Sequence, residues 1–269
     1  MKRKDLFSAE WRWHKLITLN LLALFLLASW LWQPTRQLWD AVDASMFHLL
    51  NAPLATSSVW AHVWGIGNMR PVDAGVGLLL IGLLIRRGFI FTGNQSATQV
   101  RRALFAFLAL MLMLLLVRFS FDAILKTLDW RRASPSLVVK DAVLLTQLFP
   151  DWTAHWYLKD SSKQCFPGDH ASVLLMWAML ATGFIRGWKL HLVWLLTLFF
   201  MLPRLVAGAH WATDDLVGGV FLAFVAFGWA YYSPYIVYVS NCLEKIFSPI
   251  FKLLSKVPLL NKLSVISGR

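Results

Sequence analysis

The sequence predicts an all-α, polytopic membrane helix bundle, with six transmembrane helices and amphipathic helices on the periplasmic side. Composition is the first reason: of 269 residues, 58% are hydrophobic and only 15% charged, far from the balance of a soluble globular domain. The second is segmentation, because apolar stretches at 16–32, 72–85, 103–124, 171–184, 192–206 and 216–232 approach the length a helix needs to cross a hydrocarbon core. Third, the basic residues are distributed unevenly. With a cytoplasmic N-terminus, the inner pieces hold 16 of the 26 Lys and Arg residues, including Lys2, Arg3, Lys4, Arg87, Lys262 and Arg269, but only three acids. The positive-inside rule then puts both termini in the cytoplasm. The net charge of +12 is thus topological, suited to anionic head groups rather than to nucleic acid.

Each element follows in chain order. The first apolar stretch comes after Lys2, Arg3 and Lys4, but LASWLWQPT offers no small-x-small cleavage site, so it reads as a retained span. Leu38, Val42, Met46 and Leu49 then recur at helical spacing, which fits an amphipathic helix on the outer surface or a cover over the core. Trp60, Trp64, Gly65 and Gly67 lead to Pro71, placed to open the second span. Residues 86–102 form a basic inner connector. The outer segment 126–170 is the longest stretch between spans, and loops of that length are functional or carry short helices of their own. After Pro234, apolar positions alternate with lysines in a basic amphipathic tail. The chain therefore divides into a membrane domain, 1–235, and a cytoplasmic tail, 236–269. The fifteen Trp residues gather near span ends, as an interfacial belt does. Cys165 falls outside and Cys242 inside, so the two cannot pair within one chain.

Chemistry concentrates on the outer side. In PRLVAGAHWATD, Asp214 stands four residues after His210, so its carboxylate can hold one imidazole nitrogen and leave the other as a nucleophile. Gly208 lets the chain bend and bring Arg204 near, where a guanidinium can grip phosphate oxygens. His170, in FPGDH, lies on the same side and can serve as the acid, with the backbone amide of Gly168 offered to an anion. Arg131, Arg132 and Lys126 form a third group of phosphate-binding candidates, joined as weaker ones by Lys159 and Lys163. The plain alternatives are a salt-bridged interfacial cluster for the first set and solvated surface charge for the arginines. No CxxC or HExxH pattern suggests a metal, and no cofactor is expected.

These blocks resemble the type 2 phosphatidic acid phosphatase superfamily, whose members carry Lys-x6-Arg-Pro, Pro-Ser-Gly-His and Ser-Arg-x5-His-x3-Asp. The third block matches in Arg204, His210 and Asp214, with Pro203 in place of serine; the second keeps Pro167 and His170, with Gly168 and Asp169 between them. The first is loose, Lys126 standing six residues before Arg132 and Pro135 not adjacent. Within the superfamily, RRASPSL, KDSSKQCFPGDH and FMLPRLVAGAHWATD are similar to bacterial inner-membrane lipid A phosphotransferases. The resemblance implies transfer from undecaprenyl pyrophosphate to the 1-phosphate of lipid A through a phosphohistidine. It leaves two alternatives: a lipid phosphatase using the same residues on undecaprenyl pyrophosphate or another lipid phosphate, and a non-catalytic transporter. Gathering of the His, Arg and Asp residues at one membrane face, away from the midplane, disfavours transport, and Arg118 with Asp122 reads as a structural ion pair. Oligomeric state stays open.

Overall fold

The computed structural model describes residues 7–86, 89–90, 97–258 and 264–267. Among them regular structure is helical throughout, without a strand. Lys2, Arg3, Lys4, Arg87, Lys262 and Arg269 lie outside the described residues, as do residues 87–88 and 91–96 of the 86–102 connector.

The first predicted span is α1 (Trp13–Leu31), followed by α2 (Gln33–Asn51), which Pro34 opens in its first turn. A short α3 (Pro53–Thr56) leads to α4 (Ser58–Gly67) and α5 (Arg70–Ile85), a pair bent by 65°. Asn68 sits at the bend, and its side chain donates to the carbonyls of Trp64 at 2.9 Å and Pro203 at 2.7 Å. The bend is therefore tied to a helix some 135 residues away. Gly65 and Gly67 make the approach feasible, since a Cβ would stand 3.1 Å from Phe149 and 3.3 Å from Pro203 respectively.

Next come the long α6 (Ala97–Thr127) and, in the outer segment, three short helices: α7 (Pro135–Val138), α8 (Leu145–Leu148) and α9 (Pro150–Trp156). The core is completed by α10 (Asp169–Thr182), α11 (Trp188–Val206) and α12 (Val220–Tyr231), the last introduced by a π-helical turn, Asp214–Gly219. Among the described residues, four helical stretches can cross a membrane by length and composition, or five when the bent α4–α5 pair counts as one. The predicted 171–184 span is α10, whose 14 residues extend only about 21 Å, against a hydrocarbon core of roughly 30 Å. Its place is central, packed on α11, α12 and α6. The stretch Asp214–Tyr231 is likewise 67% buried, whereas α1 is 22% buried and faces outward.

Two apolar clusters follow from this layout. The large one joins α1, α5, α6, α10, α11 and α12. The small one, around Leu54, Trp64, Leu145, Leu158 and Val206, lies beneath the outer segment. Asn51 fastens that segment, donating to the carbonyls of Val143 and Val206 at 3.0 Å each and accepting from the Val143 amide at 2.8 Å. Asp160 accepts from the amide and hydroxyl of Thr146 at 2.8 and 2.7 Å. The α2 helix is amphipathic with a divided assignment: Asp43, Phe47 and Asn51 turn inward while Leu38 and Leu49 stay exposed.

The tail forms α13 (Tyr235–Leu254), which lies on α6 through Phe105, Phe247 and Phe251, followed by a four-residue α14 (Ser264–Ser267). Arg101 donates to the carbonyls of Val265 and Ile266 at 2.8 and 2.7 Å.

Candidate active site

The nucleophile candidate is positioned by the end of one helix and the start of another. α11 stops at Val206, and Gly208 adopts a left-handed φ of +71° where a Cβ would come within 2.8 Å of Phe47. The chain doubles back so that the amides of Ala209 and His210 both point to the Arg204 carbonyl, at 2.9 and 3.3 Å. His210 thus stands in a turn, ahead of the helix rather than on it. Its Nδ1 lies 3.4 Å from Asp214 Oδ2, an ion-pair distance longer than a good hydrogen bond. The same oxygen accepts from the Trp211 amide at 2.8 Å, so the carboxylate is fixed before the imidazole uses it.

A cavity of about 420 Å³ opens beside this turn, lined by Arg70, Asp73, Lys159, Cys165, Pro167, Asp169, His170, Arg204 and His210 among others. The structure brings His170, His210 and Arg204 to one cavity. His170 is oriented by its Nε2, which donates to the Phe200 carbonyl at 3.0 Å; a carbonyl can only accept, so the neutral ring keeps its lone pair on Nδ1. Burial of Arg204 is nearly complete, at 4% exposed. Its Nη1 donates to Asn68 Oδ1 at 2.9 Å and its Nη2 pairs with Asp73.

The titrating groups of the cavity are pushed apart. Burial alone would lower His210, but the carboxylates of Asp214 and Asp215 outweigh it and the net shift is upward. His170 moves down, through burial first and the Arg204 charge second, with the Phe200 carbonyl and Asp73 opposing. Lys159 is also lowered, by burial and then by Arg204 and Arg70. Burial holds the Cys165 thiol far above its ordinary value, so it stays protonated and is no rival nucleophile.

Other predicted residues fall elsewhere. Arg132 is outside the cavity, behind Asp214: its Nη1 donates to Asp214 Oδ1 at 2.9 Å and to the Thr213 hydroxyl at 2.7 Å, while Nη2 pairs with Asp43. Arg131 is exposed and paired with Asp129 at 3.0 Å. Lys126 bonds Asp122 at 2.7 Å on the surface of α6, and Lys163 is exposed away from the cavity lining. Gly168 requires a correction: its amide, expected to face phosphate, already donates to the Asp214 carbonyl at 2.8 Å. Its role is steric, since a Cβ there would lie 2.2 Å from Asp215 Oδ1. Gly218 and Gly219 complete the close fit, with Pro167 and Ala171 within 2.6 and 2.9 Å of their missing Cβ atoms. Arg118 pairs with Asp122 at 3.3 Å and also with Asp169 at the start of α10, a structural tie between two helices.

Sequence reasoning missed Asp73, Asn68, Arg70 and Asp43. Asp73 carried a usable signal, an acid in the first turn of an apolar span. Among the described residues no group of three or more His, Cys, Asp or Glu side chains is arranged to hold a metal ion.

Cationic side chains and two histidines, gathered at the mouth of an apolar helix bundle, suit chemistry on the phosphate of a lipid. Residues 103–237 match the PAP2 superfamily, and the chain belongs to it, which makes it an enzyme of the phosphatase and phosphotransferase type. The match takes in Arg132, His170, Arg204, His210 and Asp214 but not Arg70 or Asp73. Over 220 residues, 82% of this chain and 88% of the relative, the sequence is 27% identical to lipid A 1-diphosphate synthase of Escherichia coli (strain K12). No solved structure matches the chain.

Proposed function

We propose that the protein is a lipid A phosphotransferase that moves a phosphoryl group from undecaprenyl pyrophosphate to the 1-phosphate of lipid A through a phosphohistidine at His210. The observation that carries this reading is the placement of His210 between Asp214 on one nitrogen and the cationic cavity on the other. The acceptor is suggested by the name of the Escherichia coli relative, and the donor by the resemblance of the sequence motifs.

In this mechanism neutral His210 attacks the terminal phosphorus of the pyrophosphate. The P–N bond forms as the P–O bond to the departing lipid phosphate breaks, and His170 gives that oxygen a proton from Nδ1. His170 is held below its ordinary pKa by burial and Arg204, and a phosphate anion that neutralises Arg204 relieves the second cause, favouring the charged acid when substrate is bound. In the second step His170 takes a proton from the incoming lipid A phosphate, which attacks phosphorus and frees His210. Arg204 neutralises the equatorial oxygens, with Arg70 and Lys159 lining the same cavity. No metal enters these steps, so activity is expected to survive EDTA.

The reaction is placed on the periplasmic face of the inner membrane, with both termini cytoplasmic and six crossings, α10 being a short central one. Residues 1–235 carry the reaction and 236–269 a basic tail on the cytoplasmic surface. Donor labelled in its terminal phosphate tests the chemistry: an acid-labile phosphoenzyme forms in the native protein, and label appears on lipid A when it is added. Release of label only as inorganic phosphate would make the protein a phosphatase. His210→Ala is expected to abolish phosphoenzyme and turnover by at least about four orders of magnitude. His170→Ala should slow donor cleavage roughly 10²–10⁴-fold, less for donors with good leaving groups, and equal losses on both would remove it from the acid role.

A further inference from the structure

A second cavity, of about 280 Å³, is lined in part by Arg132 and by neither histidine of the first. Its lining includes Arg36, Arg131, Arg132, Trp30, Trp130 and Asp129. Three guanidiniums line it, Arg36 and Arg131 each tied to one aspartate and Arg132 tied to Asp43 and Asp214. Arg36 bonds Asp40 through Nε at 2.8 Å, and Arg131 bonds Asp129 through Nε at 3.0 Å. Each therefore keeps its two terminal nitrogens, the fork that matches phosphate oxygens.

The aromatic side of the cavity is built rather than incidental. Arg36 stacks 4.2 Å above Trp30, which in turn lies parallel to Phe166 at 4.4 Å, so the first guanidinium is held in place. Trp30 is 6% exposed, yet its indole N–H has no acceptor; buried tryptophans ordinarily find one. The cavity is of head-group size, at the small end for a ligand site. It forms where α1 ends, α2 begins and the chain leaves α6, beside exposed apolar side chains such as Leu31 and Leu128.

We propose that this cavity is a second phosphate site, separate from the catalytic cavity, that takes the phosphorylated head group of a lipid on the terminal nitrogens of Arg36 and Arg131. Two sources have that chemistry: an anionic phospholipid of the surrounding bilayer, and a second phosphate on a substrate lipid. The site goes beyond the reaction assigned to His210 and stands on different residues.

The test counts binding of a non-hydrolysable probe, the dihexanoyl phosphonate analogue of phosphatidic acid, to the full chain in phosphatidylcholine nanodiscs. Two probes per chain are expected in the native protein and one in Arg36→Gln/Arg131→Gln, whose second site weakens at least about tenfold. The probe retained at the catalytic cavity reports that the variant is folded. A native protein that binds one probe, unaffected by the double substitution, overturns the proposal, as do two probes that survive it. If the catalytic reading alone is wrong, the native protein binds one probe, lost in the double variant and kept in Arg204→Ala. Discs containing phosphatidylglycerol separate the sources: the second probe is displaced if bilayer lipid fills the site and retained if the site is kept for substrate. Inorganic phosphate that competes as well as the probe would overturn the lipid assignment.

Discussion

Arg204 and Arg132 are alike in chemistry and differ in position. Each is a largely buried guanidinium that grips an aspartate from a distant helix, Asp73 for Arg204 and Asp43 for Arg132. Arg204 lines the catalytic cavity, whereas Arg132 stands behind Asp214 and holds the carboxylate that faces His210. The pair teaches that an arginine in a phosphate motif can act in two ways: on the transferring group itself, or on the residue that orients the nucleophile.

The sharpest way to break this distinction is Arg204→Lys. An ammonium keeps the charge but not the planar fork, and the loss in turnover is expected to be roughly 10²–10³-fold. Full activity in a steady-state assay would reduce the clamp to a diffuse positive field.

Arg132→Gln should act first on stability. It leaves Asp43 and Asp214, 1% and 0% exposed, without their cation, and breaking such a buried pair costs about 3–5 kcal/mol. Adding Asp43→Asn removes one stranded charge and should recover part of the loss in thermal unfolding. No recovery would mean that Arg132 is not held by charge pairing.

A smaller effect concerns pH. The carboxylates raise His210 above its ordinary 6.5, and attack requires the neutral ring, so the acidic limb of the rate profile should lie above that value. Asp214→Asn should move the limb to lower pH while slowing the reaction. The stability counterpart has the opposite sense: the raised pKa stabilises the folded state fully below 6.5, and the contribution fades as pH rises through the folded value. The melting difference between native protein and His210→Gln should therefore shrink toward alkaline pH, and a constant difference would remove the ion pair.

The smallest effects are expected at Lys126 and Lys163, exposed and outside both cavities. Their alanine variants should change turnover less than about twofold. A large loss in either would restore them as phosphate ligands.

What could be read from sequence depended on how local its cause was. Apolar runs and caps gave the helices close to their observed bounds, and the His210–Asp214 pair followed from spacing, with Gly208 as the bend. Asp73 and Asn68 were invisible as partners of Arg204 because they are 131 and 136 residues away in the chain and meet it only through the α4–α5 bend. Asp43 stands between the apolar positions of α2 without a mark of its own, since helical periodicity reports how often polar residues recur, not which of them finds a buried cation. The misplaced role of Gly168 has the same origin: a Pro-Gly turn announces room for close approach, but not whether a ligand or the protein's own Asp214 carbonyl fills it.

The π-helical turn from Asp214 to Gly219 has a consequence for the lengths this chain can take. Bonding from i to i+5 accommodates one residue more than the α-helix it leads into, so the turn works as an insertion already healed into a helix. Losing Leu216, which points outward at 42% exposed, would let the segment close as ordinary α-helix with the packed rows of α12 intact. Asp214, together with the turn that carries His210, would then be rotated about 100° around the axis relative to α12, away from the Gly168 amide that bonds its carbonyl. Membrane anchoring and chemistry are thus separable here by a single codon.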